Sequence, residues 1–99
     1  MKERFQNGIV ADLLMTKNED GKKKILLSKR KNTGYKDGEY ELPGGHLEEN
    51  EDLYEAMIRE AKEELGISLK RENLKIVHIM HHYTGKRMNF ILETEKSDL

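Results

Sequence analysis

The chain has 99 residues, of which 35% are hydrophobic, so it can bury one small core and is expected to form a single domain. Its 18 basic and 19 acidic side chains leave a formal net charge of −1, which disfavours general electrostatic binding to nucleic acid or to a membrane surface. The absence of cysteine excludes disulfides, thiolate nucleophiles and cysteine metal sites, and it fits a reducing cytoplasm.

The opening residues MKERFQNG lack the apolar run of a signal peptide, and no later segment approaches the length of a membrane-spanning helix. We therefore expect a cytoplasmic protein.

The first half of the chain predicts a hairpin followed by a loop. Aliphatic residues over Gly8–Thr16 indicate a mostly buried strand, and Asn18–Lys23 indicates a turn because it contains an Asp-Gly pair. Lys24–Arg30 is then the return strand. The glycine-rich stretch Lys31–Gly45 predicts a loop with a short extended piece at Tyr40–Leu42.

A helix is predicted next, with Asn50 as its N-cap and with Glu51 and Asp52 in the first turn, where the helix dipole favours acids. Gly66 follows the last apolar residue, as a left-handed C-cap requires. An apolar stripe runs along the helix with a spacing of three to four residues. Its members are Leu53, Tyr54, Met57, Ile58, Ala61 and Leu65.

Two further strands, Leu74–Tyr83 and Arg87–Glu95, are predicted around a turn at Thr84–Lys86. The element order is therefore β-β-loop-α-β-β. This order predicts a mixed α/β (α+β) domain with one long helix.

Three carboxylates, Glu60, Glu63 and Glu64, occupy the last turns of this helix. Like charges at these spacings cost roughly 0.2–0.5 kcal/mol per pair, and acids near a C-terminus also oppose the helix dipole. One interpretation is a solvated acidic face. The other is a site for a hard divalent cation, which neutralises the carboxylates and to which the Gly44–Gly45 segment could add a backbone carbonyl.

The spacing of the whole stretch favours the metal site. Gly45 is followed by five residues and Glu51, then by seven residues and the segment REAKEELGI, which begins at Arg59. This resembles the Nudix hydrolase signature G-x5-E-x7-R-E-U-x-E-E-x-G-U, where U is a bulky aliphatic residue. Every fixed position matches, and Ala61 at the first U is smaller than usual but apolar.

The resemblance implies a mixed β-sheet with helices around it, a loop–helix–loop catalytic element, and hydrolysis of a nucleoside diphosphate linked to another group, dependent on Mg²⁺ or Mn²⁺. Carried over by position, the implied metal ligands are Glu60, Glu63, Glu64 and the carbonyl of Gly44. The implied catalytic residues are Glu60, Glu63 and Arg59, with Arg59 acting as a support. Gly45, Glu51 and Gly66 are implied as structural supports of the motif.

Residues outside the motif bear on the substrate. Arg30 could face phosphates, and Tyr35 could stack on a base. Tyr83 lies where diadenosine-polyphosphate hydrolases of the family tend to carry tyrosine, whereas the proline expected near that position in ADP-ribose hydrolases is missing. The short chain with LPGGH before the motif is more similar to nucleoside triphosphate pyrophosphohydrolases. This similarity favours a small nucleotide substrate, namely a (deoxy)nucleoside triphosphate cleaved to the monophosphate and pyrophosphate.

Two other features leave alternatives open. His78, His81 and His82 suggest zinc, but alternation places His81 on the opposite strand face, so surface or substrate-pocket roles are favoured.

Members of the family usually continue with another strand, a helix and a further metal-binding acid, so we expect either a truncated or a naturally short domain. The exposed sheet edge of such a domain favours a homodimer. A catalytically incomplete module that binds nucleotide or protein is the alternative function.

Overall fold

The computed structural model describes residues 8–29 and 38–95, which contain seven strands and one α-helix. The helix α1 spans Leu53–Leu65, and a 3₁₀ turn follows at Arg71–Asn73. The strands are β1 (Gly8–Glu19), β2 (Lys22–Ile25), β3 (Ser28–Lys29), β4 (Tyr40–Glu41), β5 (Gly44–His46), β6 (Lys75–His82) and β7 (Arg87–Glu95). The predicted mixed α+β class is confirmed. A search of these ranges for a helix with the length and apolar character of a membrane span finds none.

The main sheet has the strand order β2-β1-β7-β6, and β5 pairs with β1 beside β2. Strands β1 and β7 run parallel from the Gly8–Arg87 pair to the Thr16–Glu95 pair, while the other pairings are antiparallel. Strands β3 and β4 form a separate two-stranded ladder. The parallel pairing makes β1 and β7 the centre of the sheet, which the element order alone did not predict.

The first hairpin turns more tightly than predicted. Asp20 and Gly21 have φ angles of 53° and 75°, so these two residues alone reverse the chain. Asn18 pairs with Lys23 within the ladder. The prediction of a six-residue turn at Asn18–Lys23 was therefore wrong in width, because a two-residue turn lets the strands continue up to it.

The segments after the hairpin also differ from the prediction. The single return strand Lys24–Arg30 is wrong, since β2 ends at Ile25 and β3 pairs with β4 instead of β1. The predicted extended piece at Tyr40–Leu42 is confirmed as β4. The predicted loop over Lys31–Gly45 is wrong at its end, because Gly44 and Gly45 belong to β5 and pair with β1.

The helix begins later than predicted. Asp52, not Asn50, is the N-cap, and its Oδ1 accepts from the Glu55 amide at 2.8 Å while Glu55 Oε1 accepts from the Asp52 amide at 3.0 Å. This reciprocal pair satisfies two amides that the helix would otherwise leave unbonded. Asn50 has a φ of 66° and lies in the preceding loop. Gly66, with a φ of 68°, ends the helix as predicted.

The core lies between α1 and one face of the sheet. Alternate residues of β1 point to this face, and they pack with helix residues and with Leu92 of β7. The buried members of this cluster are Ala11, Leu13, Met15, Ala56, Met57, Ala61, Leu69, Leu74 and Leu92. The predicted helix stripe holds, with Met57 and Ala61 buried and its other members packed against the cluster, but it omitted the fully buried Ala56.

Strand β6 forms one edge of the sheet and carries exposed apolar side chains, namely Ile76, Val77, Ile79 and Met80. An open edge of this kind is the feature on which the expected homodimer depends. The homodimer itself stays a prediction.

Candidate active site

The two glycines of β5 make close contacts that a side chain would prevent. A Cβ at Gly44 would collide with the Ala11 carbonyl oxygen and lie 2.9 Å from Asp12 Cα, both in the main chain of β1. A Cβ at Gly45 would collide with the Glu60 carboxylate and lie 2.6 Å from its Cδ. The first glycine therefore lets β5 approach β1, and the second lets the helix carboxylate approach β5.

The hydrogen-bond pattern of β5 directs the main chain of Gly44 outward. The Leu13 amide donates to the Pro43 carbonyl at 2.7 Å, and the Leu47 amide donates to the Ile9 carbonyl at 3.1 Å. Because bonded and non-bonded pairs alternate in an antiparallel ladder, Gly44 lies in a non-bonded pair with Asp12. Its N–H and C=O point away from β1, and the N–H donates to the Glu64 carboxylate.

Arg59 joins this edge to the loop before the helix. Its Nε and Nη2 donate to the two carboxylate oxygens of Glu51 at 2.6 and 3.0 Å, and Nη2 also donates to the His46 carbonyl at 3.1 Å. Its Nη1 donates to Glu60 at 2.8 Å and to Glu63 at 3.2 Å. One guanidinium therefore fixes the position of three motif carboxylates relative to β5.

These contacts shift the protonation equilibria of both partners. The Arg59 hydrogen bonds, supported by the Glu48 amide, lower the pKa of Glu51 below its ordinary value. The hydrogen bond to Glu51 raises the pKa of Arg59, with Glu60 adding to the effect and burial opposing it. Both shifts favour the charged forms of the two side chains.

Glu64 behaves differently from the carboxylates that Arg59 touches. Burial is the main cause that raises its pKa to about 7, and the hydrogen bond and repulsion from Glu60 add to it, while the Gly44 amide opposes the shift. A carboxyl group that meets a like charge in a partly desolvated place keeps its proton to higher pH. The carboxyl groups of Glu60 and Glu64 thus lie close together, and the raised pKa belongs to Glu64.

We expect Glu64 to make the stability of the protein depend on pH in a chelating buffer. Because the pKa of Glu64 is about 7 when folded against an ordinary 4.5, the folded chain binds more protons than the unfolded chain between these values. Stability should therefore fall as the pH rises through this window. The Tm of Glu64→Gln should match that of the unaltered chain near pH 4.5 and exceed it near pH 8.

The exposed Glu49 supplies a matched control, because Glu49→Gln should leave the pH dependence of Tm unchanged. An identical fall of Tm in Glu64→Gln and in the unaltered chain would show that Glu64 does not carry the effect.

The donors at this edge fit a hard divalent cation, because all of them are oxygens: the carboxylates of Glu60, Glu63 and Glu64 and the carbonyl of Gly44. Within residues 8–29 and 38–95, no three side chains of His, Asp or Glu are already arranged to hold a metal ion together. Glu63 is 59% exposed and contacts Arg59 instead of joining the Glu60–Glu64 pair. The metal site stays a prediction, and it requires the Glu63 side chain to rotate away from Arg59 towards the Glu60 and Glu64 carboxylates.

The structure does not place the substrate residues predicted outside the motif at the Gly44–Gly45 edge. Arg30 and Tyr35 lie outside the described residues. Tyr83 is 75% exposed in the turn after β6, where its ring and the His81 ring are nearly perpendicular at a centroid distance of 6.3 Å. A role for Tyr83 in substrate binding stays a prediction.

A cleft of about 500 Å³ adjoins the glycine pair on the sheet face opposite α1. Gly44 and Gly45 line one part of it, and Asp12, Arg87 and Asn89 line another. The sequence interpretation missed these last three residues. A signal was present, because Asp12 interrupts the aliphatic run of β1 and Asn89 interrupts that of β7, at positions where a central strand normally carries apolar residues.

The sequence matches the family described as NUDIX domain over residues 7–97. It is 51% identical over 51 residues to an ADP-ribose pyrophosphatase of Methanocaldococcus jannaschii, covering 52% of this chain and 30% of that protein. It is 31% identical over 97 residues to an 8-oxo-dGTP diphosphatase of Proteus vulgaris, covering 96% of this chain and 82% of that protein. The chain thus spans under a third of the archaeal relative but most of the bacterial one.

The fold is also found among solved structures. A MutT/nudix family protein from Enterococcus faecalis superposes with a TM-score of 0.82 at 23% identity, over 96% of this chain and 39% of that protein. At this identity the likeness concerns the fold alone. It agrees with the mixed sheet and single long helix described above.

Proposed function

Because this chain belongs to the Nudix family, we propose that it hydrolyses the pyrophosphate bond of a nucleoside diphosphate linked to a further group. The substrate we propose is a (deoxy)nucleoside triphosphate, which is cleaved to the monophosphate and pyrophosphate. The observation that carries this proposal is the Glu60–Glu64 pair at the Gly44–Gly45 edge, next to a cleft large enough for a nucleoside. Of the two curated relatives, the one covered over most of its length is named for a nucleoside triphosphate substrate.

The chemistry of the bond explains the charge arrangement. A triphosphate is polyanionic, so hydrolysis requires both neutralisation of its oxygens and a water molecule held against phosphorus. Mg²⁺ or Mn²⁺, held by Glu60, Glu63, Glu64 and the Gly44 carbonyl, would neutralise charge on the phosphate oxygens and acidify a bound water. Water adds to a phosphorus of the α–β bridge and the bond from that phosphorus to the bridging oxygen breaks. The monophosphate and pyrophosphate separate, and one proton of the water passes to Glu60 or to solvent.

The residues of the chain have separate tasks in this proposal. Glu60 is 13% exposed and is held between Arg59 and Gly45, which positions its carboxylate to orient a water molecule or accept its proton. Arg59 is a positioning residue, since its five donors engage protein oxygens and its side chain is 20% exposed. Glu63 is 59% exposed, and within the described part of the chain a hydrogen bond from Arg59 holds it.

A panel of nucleoside triphosphates with Mg²⁺ tests the proposal on the unaltered chain and on Glu63→Gln. We expect monophosphate and pyrophosphate from the unaltered chain and a rate at least about tenfold lower from Glu63→Gln, because a neutral amide cannot replace one of the three anionic ligands. The measurement is pyrophosphate release, followed together with the Tm of each protein.

Glu72→Gln, on the exposed 3₁₀ turn, is the matched control and should keep the full rate. Equal rates from the unaltered chain and from Glu63→Gln would contradict the proposal. An absence of product from every nucleotide would favour the alternative, a module that binds nucleotide or a protein partner without hydrolysis.

A further inference from the structure

A polar pair lies in the wall of the cleft, on the two central strands of the sheet. Asn89 of β7 donates from Nδ2 to Oδ2 of Asp12 on β1 at 2.7 Å. Both residues alternate with core residues along their strands, so they lie on the face away from α1 and border the cleft. Neither residue belongs to the carboxylate cluster of the helix.

The orientation of the Asn89 amide follows from its partner. An ionised carboxylate can only accept hydrogen bonds, so the NH2 group of Asn89 faces Asp12 and the amide oxygen faces elsewhere. Asn89 is 8% exposed, and its Oδ1 is buried without a donor among the residues that the structure describes. Such atoms are uncommon in folded proteins, and each one needs a physical reason.

Two other buried oxygens lack a donor in the described ranges, Oγ1 of Thr16 and Oγ1 of Thr94. Neither threonine lines the cleft, whereas Asn89 does. Asn89 is therefore the residue whose missing donor a cleft ligand can supply.

Asp12 offers a second acceptor beside it. Burial raises the pKa of Asp12 from its ordinary value, and the Asn89 hydrogen bond and the charges of Arg87 and His82 oppose the shift while Glu41 adds to it. A partly buried carboxylate with one amide donor has further acceptor capacity, and an N–H donor from a ligand would offset its desolvation.

We propose that Asn89 Oδ1 and the Asp12 carboxylate form an acceptor pair that receives two neighbouring N–H donors of a guanine base, its N1–H and its 2-amino group. This inference rests on the proposed nucleotide hydrolysis and names the base at the same site. Guanine is the common base whose Watson–Crick edge presents two adjacent donors, whereas adenine and cytosine present a donor beside an acceptor.

The position of the pair suits this role. Gly44 and Gly45 line the same cleft and touch the Glu60–Glu64 pair, so the phosphates would lie at the glycine edge and the base at the strand pair. Because Asn89 Oδ1 is screened from solvent, an incoming base must displace part of the cleft wall. Tyr40 and Glu41 of strand β4 form part of this wall.

Substrate analogues test the proposal on the unaltered chain. The base of dITP has N1–H but lacks the 2-amino group of dGTP, so one acceptor of the pair would stay unpaired. We expect kcat/KM for dGTP to exceed that for dITP about tenfold or more, because a site built for a hydrogen bond rejects an analogue that lacks it. The value for dATP should be lower still. Equal values for dGTP and dITP would overturn the proposal.

The variant Asp12→Asn tests the pair itself. Its new amide can accept from Asn89 and present an N–H to the cleft, so the pair becomes one acceptor and one donor, which matches adenine. We expect the ratio of kcat/KM for dGTP over dATP to fall about tenfold or more. The exposed Asp20 gives the matched control, since Asp20→Asn should leave the ratio unchanged. An unchanged ratio in Asp12→Asn would overturn the proposal, and the dGTP–dITP comparison decides if this variant does not fold.

Calorimetry separates this inference from the proposed hydrolysis. If no triphosphate is hydrolysed, the hydrolytic function fails, and the affinities for dGMP, dIMP and dAMP still test the acceptor pair. Tighter binding of dGMP than of both other nucleotides supports it. Equal affinities, as expected if an ordered water satisfies Asn89, overturn it even when hydrolysis proceeds.

Discussion

Gly45→Ala should lower the rate of pyrophosphate release about 100-fold while the protein stays folded. The added Cβ would displace the Glu60 carboxylate, whose Cδ lies 2.6 Å from its position. Because the obstructing atoms are the end of a side chain, Glu60 can swing away, so the Tm should change by only a few degrees. A displacement of about 1 Å in a catalytic group is enough for a loss of this size.

Rates with Mg²⁺ and thermal unfolding by circular dichroism measure the two effects separately. Gly8→Ala is the control, because its Cβ would meet its nearest neighbour, His46 Cδ2, at 3.4 Å, an ordinary contact. A Gly45→Ala protein with the full rate would show that the position of Glu60 against β5 is unimportant for the reaction.

Gly44→Ala should act on stability instead, although the substitution is the same and lies one residue away. Its Cβ would meet the main chain of β1, including Asp12 Cα at 2.9 Å and the Ala11 carbonyl carbon at 3.0 Å. Main chain in a central strand cannot move aside, so β5 must separate from β1. We expect a loss of about 2–4 kcal/mol, or roughly 10–20 °C in Tm for a domain of this size.

Urea and thermal unfolding of Gly44→Ala, Gly45→Ala and Gly8→Ala provide the comparison. The expected order of stability places Gly44→Ala well below the other two. If Gly44→Ala unfolds at the same temperature as Gly8→Ala, β5 does not depend on the close approach to β1.

The proximity of Glu60 and Glu64 could be predicted from the sequence, because residues four apart lie on one edge of a helix. Their roles were implied by the resemblance and stay a prediction. The N-cap was harder to assign from the sequence, since Asn50, Glu51 and Asp52 are all acceptable candidates in a run of polar residues. What decided the choice was the pairing of Asp52 with Glu55 and the engagement of Glu51 by Arg59. The second of these contacts spans two turns, beyond the reach of a local capping rule.

The glycine strand and the cleft could not be predicted because they depend on partners distant in sequence. Gly44 and Gly45 suggested a loop by composition, yet they form β5 because β1 offers them an edge. Asp12 and Asn89 each interrupted an aliphatic strand, which marked them as unusual. Their contact became apparent only with the parallel pairing of β1 and β7.

The parallel pairing of β1 and β7 has a consequence for how the chain folds. The hydrogen bond between Asp12 and Asn89 joins residues 77 positions apart, and closing so long a loop costs entropy before any contact repays it. The hydrogen bonds of the β1–β2 hairpin and those within α1 join residues close in sequence and should form early, whereas the centre of the sheet should form last. Until β7 pairs with β1, the main-chain N–H and C=O groups on one side of β1 are unpaired. Intermolecular association during refolding should begin at this side of β1.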